Sequence, residues 1–156
     1  MIGENLDKIR KELPKHVILV AVSKTKPIEA LQEAFDAGQR IFGENKVQEM
    51  AAKWEVLPKE IEWHFIGHLQ RNKVKYLAPF VSLIHGVESL RLLKEINKQA
   101  LKSNRIIDVL LQFYIADEET KFGLSEEEAN DLLNSEEFKL LQNIQIRGVM
   151  GMATFT

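Results

Sequence analysis

The 156-residue chain contains no cysteine. Disulfides, thiolate metal sites and a cysteine nucleophile are therefore excluded. It lacks an excess of positive charge: the formal net charge is -2, so no broad basic surface is available for nucleic acid. No apolar run approaches the roughly 20 residues that cross a membrane. The opening MIGENLDKIRKEL has no apolar signal core, and a cytoplasmic location is expected. Low-complexity stretches and obvious linkers are absent. Neither GxGxxG after a strand nor GxxxxGK[ST] occurs, which removes two common routes to nucleotide binding. A GxSxG nucleophile elbow is also missing. What remains is a chain with 45% hydrophobic and 28% charged residues, the profile of a globular protein long enough for one domain with a core.

One unit recurs along this chain: a short apolar run, a polar turn, then a helical pattern. A first helix is expected over residues 4–13, with Leu6, Ile9 and Leu13 on one face, ended by Pro14. Residues 17–22 form a continuous apolar, β-branched run, which reads as a strand buried on both faces. The turn SKTK follows. Pro27 suits the first turn of the next helix and Gly38 its C-terminal end. Further strands are expected at 40–42, 62–66, 81–84, 106–114 and 146–152, with helical patterns between them. Ser125 and Glu128 have the spacing of a capping box. Alternating strands and helices imply a parallel sheet with helical cover. An open doubly wound sheet and part of a (β/α)8 barrel both fit. A barrel typically needs about 200 residues or more, so length alone favours the open sheet.

In either architecture ligands bind at the C-terminal ends of the strands. These ends read SKTKP, GENK, GHLQRNK, HGVES, YIADEETK and MGMAT. Lys24 shares strand parity with Val20 and Val22. At a barrel's upper rim it would be partly desolvated, which frees the amine for Schiff-base chemistry. The alternative is a solvated lysine just past a strand, and Lys26 is a second candidate that spacing does not separate from it. Asn45 can bond a ligand oxygen or cap the following helix. His64, His68 and His85 raise the question of a metal, but no carboxylate or fourth ligand stands at metal-site spacing. A histidine that orients a neighbour is the simpler reading. Arg71, Lys73 and Lys75, and the acidic run Asp117-Glu118-Glu119 beside Lys121, read as solvated surface.

The segments AVSKTKP (21–27), FGENKVQE (42–49), WHFIGHLQRNKVK (63–75), IHGVES (84–89), ETKFGL (119–124) and RGVMGMATF (147–155) resemble, in order, the pyridoxal-phosphate homeostasis proteins, the proline synthetase co-transcribed homologue family. The resemblance implies an α/β fold of the (β/α)8 TIM-barrel type, like the N-terminal domain of alanine racemase. Residues 1–156 would form one incomplete barrel domain with about six of the eight units. It implies pyridoxal 5'-phosphate (PLP) as cofactor, held covalently as an aldimine at Lys24, with Asn45 and His64 nearby and no metal. It further implies a role in vitamin B6 homeostasis without catalysis. Alanine-racemase-like enzymes take a catalytic tyrosine from a second domain and partner subunit, and no such domain is recognised here. The alternatives are a racemase-like PLP enzyme and a barrel fragment without cofactor. Lys46 stands where the family commonly has tyrosine. A Ser/Gly-rich turn and an Arg-Ile-Gly segment, expected to hold the phosphate and pyridine nitrogen, are not found in these residues. Weak cofactor binding and self-association through open strand edges are the corresponding expectations.

Overall fold

The computed structural model describes residues 1–114 and 123–152. Its elements follow in the order α1 (Ile2–Glu12), β1 (Ala21–Val22), α2 (Ile28–Asp36), β2 (Ile41–Glu44), α3 (Val47–Val56), β3 (Glu62–Phe65), a 3-10 turn (Arg71–Lys73), α4 (Val74–Leu77), β4 (Leu83–Val87), α5 (Leu90–Lys102), β5 (Ile107–Tyr114), α6 (Glu126–Asn134), α7 (Glu136–Lys139) and β6 (Ile144–Met152). All paired strands are parallel, and the spatial order equals the chain order, β1 to β6. A doubly wound sheet reverses its order at a switch point. This sheet does not, and right-handed crossovers that always step in one direction keep the helices on one face. The arrangement is therefore six units of a barrel, and the open sheet favoured by length is overturned.

Local sequence explains the helices. Ser89 Oγ accepts the Leu92 amide at 3.1 Å, opening α5, whose Leu92, Leu93, Ile96 and Ala100 form its buried stripe. Ser125 and Glu128 close both halves of the expected capping box on α6. Gly38 follows α2 with φ 102°, where a side chain would be strained. The core lies between helices and sheet. Phe42, Trp63, Phe65, Ile84, Val109 and Leu111 meet Leu31, Met50, Leu77, Leu93 and Ile96, all buried. Phe42 and Trp63 are register partners with ring centroids 6.0 Å apart.

The first strand differs from expectation. Of the 17–22 run only Ala21–Val22 pairs, and Ile18 and Val22 are 69% and 53% exposed. β1 stands at the end of the sheet with β2 as its one described partner. Among the described residues, one backbone edge and the inner face of Val22 therefore have no cover. The fourth strand also shifts: β4 takes in His85 and Gly86, expected in a turn, across a register irregularity between Ile84 and Val87.

Candidate functional site

Every strand sends residues to one cleft at the C-terminal ends. Lys24 follows β1, Asn45 follows β2, and Ile66, Gly67 and His68 follow β3. Gly86 lies in β4 with Glu88 just past it, Gln112 lies in β5 and Met150 in β6. The cleft measures about 460 Å³, within the range of small-molecule sites. Gly67 is required by close packing: a Cβ there would sit 2.6 Å from the Asn45 carbonyl oxygen. The β3 loop can thus lie directly against the backbone that presents Asn45.

Two of the three residues expected at a site line the cleft. Lys24 does so from an exposed position, so the expected partial desolvation is not observed. The open inner face beside Val22 accounts for this. Asn45 does not cap α3. The N-cap is Lys46, without a side-chain cap bond, because α3 begins one residue later than the cap reading needs. His64 lies below the cleft on β3. Its Nδ1 and His85 Nε2 are 3.0 Å apart, so one ring donates and the other accepts. Burial, then the neighbouring His85, push the His64 pKa down to about 4. Burial lowers that of His85 as well. Two neutral imidazoles at neutral pH suit this mutual bond. His68 lines the cleft apart from that pair. Among the described residues no three metal-ligating side chains gather. The run 117–119, Lys121 and residues 153–156 fall outside the described residues.

Sequence reasoning missed the polar set beneath Lys24. Glu44, with 0% exposure, accepts a short hydrogen bond from Ser23 Oγ. Lys53, 5% exposed, reaches from α3 to donate to the Ser23 carbonyl at 2.7 Å, to Glu44 Oε2 at 2.8 Å and to Glu49 Oε2 at 2.8 Å. Glu49 Oε2 also accepts the Thr25 amide at 2.7 Å. The Lys53 hydrogen bond is the main cause holding the Glu49 carboxyl below its ordinary range. The one readable signal was the i,i+4 spacing of Glu49 and Lys53. Glu88 and Gln112 were missed as lining residues too. Glu88 Oε2 is buried and has no hydrogen-bond partner among the described residues, leaving an acceptor free beside the cleft.

The strand ends of this partial α/β barrel thus bring to one cleft an amine, an amide and a carboxylate oxygen unpartnered among the described residues. The chain belongs to the alanine racemase N-terminal domain family, which it matches over residues 1–155. It is 43% identical over 134 residues to the pyridoxal phosphate homeostasis protein of Aquifex aeolicus, covering 85% of this chain and 58% of that protein. Against the Escherichia coli K12 protein of the same name the identity is 36% over 165 residues, covering 97% and 70%. PipY of Synechococcus elongatus PCC7942, solved with PLP bound, superposes with a TM-score of 0.88 at 36% identity, covering all of this chain and 72% of PipY. The chain thus spans about three fifths of the length of the Aquifex relative. Among the described residues no helix is long and apolar enough to cross a membrane.

Proposed function

We propose that this chain carries the cofactor-bonding part of a non-catalytic, cytoplasmic PLP-binding protein of vitamin B6 homeostasis, with residues 1–156 as one incomplete barrel domain and Lys24 as the bonding residue. The observation that carries this is the placement of a primary amine on the rim of a cleft that all six strand ends build. The PLP-bound relative supports the choice of ligand.

The residues present fit one end of that ligand. PLP supplies an aldehyde that condenses with a primary amine. Lys24 provides the amine, Asn45 an amide for the hydroxyl oxygen on the ring, and Glu88 a carboxylate oxygen, unpartnered among the described residues, for an N–H or cationic group. His64, paired with His85, is not among the cleft's lining residues, and its proposed part is to steady β3 beside Ile66 and Gly67. No arginine or lysine other than Lys24 lines this cleft among the described residues, so a phosphate finds little to hold it and binding by these residues alone is weak. The relatives' shared name supports a homeostatic rather than catalytic role. The outer edges of β1 and β6, unpaired among the described residues, support self-association of the isolated chain, and a stable monomer in sedimentation would remove that part of the reading.

Titration with PLP, borohydride trapping and peptide mapping tests the whole. Label concentrated on Lys24 is the expected result. Label spread evenly over surface lysines would sink the proposal in favour of a barrel fragment without cofactor. Amino-acid racemisation that disappears in Lys24→Ala would instead establish an enzyme.

A further inference from the structure

The turn that carries Lys24 is held from both sides by one buried lysine. On the N-terminal side, Lys53 Nζ bonds the Ser23 carbonyl directly at 2.7 Å. On the C-terminal side it bonds Glu49 Oε2, which takes the Thr25 amide at 2.7 Å. Its third donor goes to Glu44 Oε2, which also receives the Ser23 hydroxyl. All three ammonium donors are thereby engaged. Between the two clamped residues, the Lys24 side chain lines the cleft and has no hydrogen bond among the described residues. The turn is not relaxed: Thr25, a β-branched residue, has φ 63°, a left-handed conformation that persists only where its surroundings impose it. A buried Lys–Glu pair is not needed to close this core, since apolar residues of similar volume often serve stability as well or better.

We propose that Lys53 is a positioning residue. Acting through Glu44, Glu49 and the Ser23 carbonyl, it fixes the backbone on both sides of Lys24 and directs that amine, rather than Lys26, at a carbonyl in the cleft. This rests on the carbonyl-binding reading given above. In the step concerned the neutral Lys24 nitrogen adds to the aldehyde carbon. A carbon–nitrogen double bond replaces the carbon–oxygen one, the nitrogen gives up two hydrogens, and the oxygen leaves as water. No oxidant or reductant is involved. What Lys53 contributes is orientation, an effect that is steep in distance.

The test is the ratio of borohydride-trapped PLP on Lys24 to that on Lys26, mapped in the intact chain and in the variants Lys53→Met and Glu49→Ala. Glu49 is the partly exposed member of the set, so its variant remains informative should Lys53→Met fail to fold. The ratio is expected to drop about tenfold in Lys53→Met and about threefold in Glu49→Ala. A role confined to stability predicts a lower unfolding midpoint with an unchanged ratio. That outcome, in either folded variant, overturns the positioning role while the unaltered chain still labels Lys24. If the unaltered chain shows no preference for Lys24, the carbonyl-binding reading itself is wrong and the positioning role falls with it.

Discussion

The two ends of the strands use polar groups differently. At the N-terminal end they are engaged on backbone. Gln39 Nε2 donates to the Leu19 and Ile41 carbonyls at 2.9 and 2.7 Å and its Oε1 takes Arg10. Arg105 donates to the carbonyls of Ala78 and Val81 at 2.6 and 2.7 Å. Asn143 Nδ2 donates to the Arg105 carbonyl at 2.9 Å. At the C-terminal end, among the described residues, Lys24, Asn45, His68 and Gln112 line the cleft without a side-chain hydrogen bond, and Glu88 keeps an oxygen unpartnered. The first end spends its polar groups on stability, and the second leaves them open, as the proposed ligand site needs. The Glu44–Lys53 set is the exception, a buried cluster lying under the open side in which the Lys53 ammonium is fully engaged while Glu44 Oε1 has no hydrogen-bond partner among the described residues.

Substitutions separate these roles. Lys53→Met should have the largest effect, about 3–5 kcal/mol in chemical denaturation, because it strands the fully buried Glu44 charge. A double variant with Glu44→Leu should recover most of that loss. Failure to recover it would show that the cluster does more than pair charges. At the opposite end, Gln39→Leu should cost about 2 kcal/mol by leaving the Leu19 and Ile41 carbonyls short of a donor. Loss of PLP labelling there without unfolding would break the division between the two ends.

The histidine pair gives a smaller, pH-dependent effect. His64 titrates near 4 when folded, against an ordinary value of 6.5. The unfolded chain therefore binds more protons in that window, and stability rises with pH across it. Its contribution is complete above about 6.5 and is lost as pH falls towards 4. His64→Gln should flatten this part of a thermal-midpoint profile, and a slope that persists would place its origin elsewhere. The smallest effect belongs to the cleft itself. Lys24→Met and Asn45→Ala should each change stability by no more than about 0.5 kcal/mol. Of the two, only Lys24→Met should abolish site-specific labelling. A larger loss of stability would mean that these residues are engaged after all.

Much of this was legible in the chain, because much of it is local. The Ser125–Glu128 capping box, the Gly38 stop and the six strand-ending motifs depend on neighbours in sequence, and the strand ends alone brought Lys24 and Asn45 to the site. Burial of β1 was misjudged because the run at 17–22 records apolarity, whereas burial depends on how many strands flank it. Lys53 was not recognised because it sits on a helix and its partners come from two strand ends. Glu88 and Gln112 needed the curvature of the sheet to bring them to the same cleft.

The order of the strands has a further consequence for how the chain is made. Lys24 leaves the ribosome early and Met150 late, yet both are walls of the same cleft. Each strand docks beside the one before it in sequence, so the sheet can grow as it is synthesised, but the wall that Met150 provides is absent until β6 is in place. A ligand that touches both walls would stabilise only forms in which β1 and β6 are both docked. Its occupancy would therefore report the docking of β6 rather than the earlier appearance of Lys24.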